Sequence, residues 1–315
     1  MTGMRKLAFV LVFSIFQVGC GDDTKPPPPA CGPPPCTAGS SFDTSGRFGI
    51  LVKLLVDVQA AAVINATALE SDLLLLADVT QQGTNVNMQV QVCDLVLPPV
   101  PVKNQPPLTF TLPPALLASV GTVSSSGTFA GTTTCSAIMQ PSPLTIILGA
   151  KASMPLTDPL PTVNTMTGAY MACGGSLMAC ASAPVPASGS CVCDQESDGK
   201  PGATLGVMNA PVFPDLDKAY VALRSTVRLV GKVYSSDLMA GTVNATLEEV
   251  VLGCHKGGSE CDPNTVGLVA AVAPVITQTD ASHDCTLNSV FTAKRVPAAI
   301  DCAALKAMEG QLFGR

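Results

Sequence analysis

Residues 85–92 read Asn-Val-Asn-Met-Gln-Val-Gln-Val, polar and apolar in strict alternation, the pattern of a β-strand with one face buried. Residues 108–112, Leu-Thr-Phe-Thr-Leu, repeat it over five positions. Strand-like aliphatic runs follow at 49–58, 73–79, 144–148, 219–233, 242–252, 267–277 and 289–296. Turn-forming clusters at 81–84, 124–127 and 141–143 separate several of them. Many short strands punctuated by Gly and Pro predict a mainly β fold, an antiparallel sandwich or barrel-like body. One helix is expected, over 297–312, where Pro297 suits a first turn and Ile300, Leu305, Met308 and Leu312 share a side.

The first residues follow a different logic. Arg5 and Lys6 precede an apolar run at 7–16, and Gln17-Val18-Gly19-Cys20 follows it. That run is half of the roughly twenty residues a bilayer span needs, so residues 1–19 read as an export signal. A cysteine directly after a small residue marks lipid attachment, so Cys20 is expected to carry the acyl chains that bind the protein to a membrane. Residues 20–41, with prolines at 26–29 and 33–35, cannot bury apolar surface and read as an extended tether. Gly21 stands where an aspartate would favour the inner membrane, which points to the outer membrane, on its periplasmic or outer face.

Composition narrows the partners. Seventeen basic against 23 acidic residues, with a pI near 4.8, leave no electrostatic footprint for nucleic acid. The absence of Trp and the presence of only three Tyr disfavour a sugar-stacking surface. Of 13 cysteines, setting Cys20 aside leaves twelve, an even number that in an oxidising compartment reads as six disulfides. Short spacings suggest Cys31 with Cys36 and Cys254 with Cys261. Cys191 and Cys193, one residue apart, are expected to bond different partners, with Cys173 and Cys180 nearest, and Cys302 to staple the terminal helix to the body. With two histidines and no Cys-x-x-Cys, structural zinc is disfavoured.

A stretch rich in Ala, Ser, Gly, Pro and Cys at 173–202 divides the body into β-rich parts at 42–172 and 203–315. Each part holds a long aliphatic segment ending in cysteine, at 48–93 and 220–254, alike only in hydrophobic spacing. One β domain with a disulfide-rich excursion and two separate domains both fit.

Chemistry-bearing residues are few. His255 and His283 are the only candidate imidazole bases, and neither stands in a hydrolase motif. Glu248 and Glu249 neighbour each other in a strand-like run and so point to opposite faces. The local motif with a mechanism is Asp194-x-Glu196-x-Asp198-Gly199, which resembles the acidic calcium loops of EF-hand, dockerin and thrombospondin type 3 sequences. Its alternating carboxylates could share a structural Ca2+, with the Lys200 carbonyl as a fourth ligand. Leu205 occupies the position of the closing bidentate Glu, so a further oxygen would come from elsewhere, Asp215 or Asp217. The alternative is a solvated acidic turn.

The signal, the proline tether, the acidic loop and the segment Phe291-x-x-x-Arg295-Val296 before a last cysteine resemble the cysteine-rich lipoproteins abundant in large-genome Gram-negative bacteria. That resemblance implies an envelope location and β structure, and no activity. The expectation is a non-catalytic, membrane-anchored binding or structural module. In a sharper form, its aliphatic strands enclose a cavity for an acyl chain, against a solid Val, Leu and Ala core. The rival class is a secreted hydrolase, which requires His255 or His283 beside a Ser or Cys and an Asp in a cleft.

Overall fold

The computed structural model describes residues 36, 39–60, 64–164, 166–281 and 284–314. The signal, Cys20, Cys31 and His283 lie outside the described residues, as does nearly all of the tether.

The elements run β1 (Gly46–Ala60), β2 (Ile64–Gln82), β3 (Asn85–Val96), β4 (Val100–Val102), β5 (Gln105–Thr111), α1 (Pro114–Ser119), β6 (Val123–Ala130), β7 (Ile138–Pro141), β8 (Leu144–Leu148) and β9 (Ala150–Ala152). They continue with β10 (Ser190–Val192), β11 (Ala203–Met208), β12 (Leu216–Ser235), β13 (Leu238–Lys256), β14 (Ser259–Glu260), α2 (Pro263–Val272), β15 (Val275–Gln278), β16 (Val290–Val296), α3 (Cys302–Ala307) and α4 (Glu309–Phe313). The predicted mainly β, antiparallel, disulfide-stapled body with a short C-terminal helix is what the structure contains.

Long hairpins build it. β2 turns into β3 through Gly83, whose φ of 61° suits a residue without a side chain. β12 and β13 pair along nearly their whole lengths. The order β13-β16-β1-β2-β3-β6-β7-β12 closes on itself because β12 also pairs β13, which makes an antiparallel barrel of eight strands. Strands from both sides of residues 173–202 build it: β1, β2, β3, β6 and β7 form one block, which meets the later strands where β1 pairs β16 and where β7 pairs β12.

The alternation in β3 does what the sequence implies: Val86, Met88, Val90 and Val92 are buried inside while the intervening Asn and Gln face water. Where a strand is apolar on both faces, a second layer covers it. Leu73 and Leu75 point into the barrel, whereas Leu74 and Leu76 pack outward with Val296 and Leu305 under α3 and α4. The Cys93–Cys302 disulfide fastens that layer.

Two apolar clusters occupy the interior. One, around Phe48, Met88, Phe129, Met139 and Phe291, occupies the end near the β12–β13 turn. Phe42, from the segment preceding β1, packs against Phe129 with ring centroids 5.1 Å apart and closes that end. The other, around Leu108, Leu116, Leu205, Val251 and Val266, lies under β4, β5, β11 and α2.

Four local expectations are corrected. Residues 267–277 form the body of α2 and then β15, because Asp262 caps a helix start, accepting from the Asn264 and Thr265 amides with Pro263 behind it. Residues 124–127 continue β6, and Gly127 serves close strand contact: a Cβ there would sit 2.4 Å from Pro141 Cα. Cys36 pairs Cys135, 99 residues away, and not Cys31. The terminal helix begins at Cys302, capped by the Asp301 carboxylate, later than Pro297 and broken at Met308. The pair Cys254–Cys261 is as expected, and Cys191 and Cys193 do bond different partners from the two nearest candidates, Cys191 with Cys173 and Cys193 with Cys180.

Candidate functional site

Between the two apolar clusters the barrel interior is not filled. A cavity of about 180 Å3 lies there, walled by Leu54 and Val56 of β1, Leu95 of β3, Ile146 and Leu148 of β8, and Leu223 of β12. Its few polar linings are neutral: Ser71, Ser225, Thr246, Thr277 and Gln278.

The cavity exists because β13 leaves its neighbour. β13 pairs β16 only through Leu238–Thr242, and β1 takes β15 as its next partner. Gln278 at the end of β15 bridges the parting strands. Its Oε1 accepts from the Ala245 amide at 2.7 Å, and its Nε2 donates to the Val243 carbonyl at 2.8 Å. Beyond Gln278 the gap is a slit. Leu247, on the inward face of β13, is consequently 37% exposed. A second hollow of about 400 Å3 lies there, formed by Leu247, Glu249, Val275 and Ile276 with Ala270 and Ala273 at the end of α2. Leu247 and Ile276 line both spaces, so the two adjoin.

Glu249 is the residue that sequence reasoning missed as a site. On β13 the positions 243, 245, 247, 249 and 251 share the inward face, and every one but Glu249 is apolar. Glu248 points outward to Arg224, and Glu249 stands opposite Leu223. Among the described residues Glu249 has no hydrogen-bond or ion-pair partner. Burial alone pushes its carboxyl up to about 7. The signal was legible: an ionisable residue falling in the apolar register of an alternating strand.

Residues 155–202 fold against the outer face of β12 and β13, where Leu160 and Val192 pack on Ala222 and Leu252. Arg224, buried by this layer, donates to the Pro155 and Asp158 carbonyls and pairs with Glu248. The two disulfides at Cys191 and Cys193 lead directly into the acidic loop.

The structure brings Asp194, Glu196 and Asp198 together, with one oxygen from each within 4.8 Å of the others. Much of their capacity serves the loop itself. Asp194 accepts from the Asp198 and Gly199 amides, at 3.1 and 2.7 Å. Asp198 accepts from the Lys200 amide and the Thr204 hydroxyl, and Glu196 Oε1 from the Thr204 amide. Glu196 Oε2 is buried without a partner. Burial first, then the charges of Asp198 and Asp194, raise this carboxyl to about 7. Asp217 does not join the cluster: its carboxylate lies 2.7 Å from His255 Nδ1. Asp215 is also outside it.

His255 has that aspartate, but among the described residues no Ser or Cys is hydrogen-bonded to it, and the adjacent Cys254 is in a disulfide. Among the described residues, no helix is long and apolar enough to cross a membrane. The chain matches no family model, no curated protein and no solved structure.

Proposed function

We propose that this chain is a non-catalytic envelope lipoprotein, held to the outer membrane through lipid on Cys20, whose barrel binds an apolar ligand. The observation carrying the reading is the cavity of about 180 Å3 between the two cores, which adjoins an apolar slit. Protein interiors are normally close-packed, and unfilled apolar space forfeits dispersion contacts. A ligand supplies those contacts and gains about 0.8 kcal/mol for each methylene it removes from water.

The test has two arms. Native mass spectrometry of detergent-extracted protein should show a co-purifying apolar molecule, lost in Ala245→Phe, which fills the cavity. Membrane partitioning should be lost or processing blocked in Cys20→Ser. An apolar-free protein that also takes up no added alkyl compound sinks the binding reading. Unchanged partitioning of Cys20→Ser sinks the anchor.

Structural calcium at Asp194, Glu196 and Asp198 belongs to the same proposal. The buried, unpartnered Glu196 Oε2 is what supports it over a solvated turn.

A further inference from the structure

Glu249 lies where three spaces meet. It lines the slit beside Leu247, and it also lines a smaller hollow of about 80 Å3 under α2, with Leu205, Val251 and Val269. The inner cavity begins one inward position away, at Leu247. No other described residue lining these spaces is ionisable. α2 and β15, which pack over Glu249, contain no charged residue, and its neighbours across β12 are Val221, Leu223 and Ser225. A half-buried carboxylate in such a place loses part of its hydration and receives no compensating bond from the protein, which leaves it available to a ligand.

We propose that Glu249 selects a lipophilic amine: an alkyl chain lying in the inner cavity with its ammonium group on the Glu249 carboxylate. This rests on the apolar-ligand reading and adds the head group to it. The ammonium offers three donors and the opposite charge, which is what the wall lacks. A fatty carboxylate would set two like charges together, and an alcohol would gain only a single hydrogen bond. The order of affinity is therefore amine, alcohol, carboxylate. Among the groups that face Glu249 none competes for the ammonium, and Glu196, the other carboxyl that titrates near neutrality, sits on the acidic loop outside the barrel.

The experiment displaces a neutral fluorescent apolar probe, N-phenyl-1-naphthylamine, from the purified full chain with dodecylamine, 1-dodecanol and dodecanoate at pH 5.5 and 8.5. At pH 8.5 dodecylamine should bind at least tenfold more tightly than dodecanol. That preference should shrink at pH 5.5, where Glu249 is protonated and the amine still charged, and vanish in Glu249→Gln with dodecanol affinity retained. Equal binding of amine and alcohol, a preference unchanged between the two pH values, or one that survives Glu249→Gln overturns the head-group assignment and leaves the apolar reading standing. Failure of the probe and of all three compounds to bind overturns both. Should Glu249→Gln fail to fold, the pH comparison in the wild-type chain decides alone.

Discussion

Leu223 and Glu249 face each other across β12 and β13 on the inner wall of the barrel, one residue along from the outer-wall pair Arg224 and Glu248. Two adjacent glutamates thus experience opposite surroundings. One answers the buried Arg224 guanidinium on the outer wall, and the other answers nothing.

That contrast gives a pH dependence with a definite sign. Glu249 titrates at about 7 in the folded chain against 4.5 for an ordinary Glu, so between those values the native state holds more protons than the unfolded state. Stability from this residue is complete below about pH 4.5 and falls as pH rises towards 7, by on the order of 1–3 kcal/mol. Glu249→Gln should reduce the loss of stability between pH 5 and pH 8 in urea denaturation. An identical loss in variant and wild type would refute the assignment.

Cysteine pairing can be checked by peptide mapping without reduction. The five bridges should appear, with Cys36 linked to Cys135 and never to Cys31. Removing Cys36–Cys135, which closes 99 residues, should destabilise by about 4–5 kcal/mol, against about 2 for the seven-residue Cys254–Cys261 loop. A reversed ranking in denaturant titrations would mean that native-state contacts outweigh loop closure.

Calcium binding by the acidic loop should be weak, with a Kd of roughly 0.1 to 1 mM. The ion needs Glu196 deprotonated, and that carboxyl sits at about 7, so affinity should rise from pH 6 to pH 8. Calorimetry of metal-stripped protein beside Asp194→Asn/Asp198→Asn measures it. Heats that are absent, or equal in both proteins, leave a solvated turn.

Gly202 and Gly149 meet where the acidic loop touches the barrel. Gly202 has φ +88°, and a Cβ on it would lie 2.5 Å from the Val221 carbonyl oxygen. Gly149 has φ +72°, and a Cβ there would lie 2.5 Å from the same atom. Either Gly→Ala change should destabilise by about 2–4 kcal/mol. Gly199→Ala, at φ +81° but in open space, should incur only the backbone strain of about 1 kcal/mol. Equal effects at Gly199 and Gly202 in thermal melts would refute the contact.

Strand identity was readable wherever one face is wet, as in β3, because burial then writes itself as alternation. It failed at 267–277, where every residue but Gly267, Pro274 and Thr277 is aliphatic and periodicity cannot tell a buried helix from a strand. The Asp262-Pro263 start signal was present and outweighed by β-branched content. Barrel closure was not readable, since it depends on β1 finding β16 more than 230 residues later. Of the site, the acidic triad could be read because its members are local. The cavity could not, because it arises from β13 and β15 parting at Gln278, a matter of pairing between distant segments.

The Cys36–Cys135 bridge also sets a polarity. Cys135 donates its amide to the Val233 carbonyl, beside the β12–β13 turn, so the tether joins the barrel at the end that Phe42 closes. Leu247 and the slit lie nine residues up β13 from Leu238, a rise of ~30 Å at strand spacing. The anchor proposed on Cys20 would thus enter the body at its closed end, the far end of β13 from the slit.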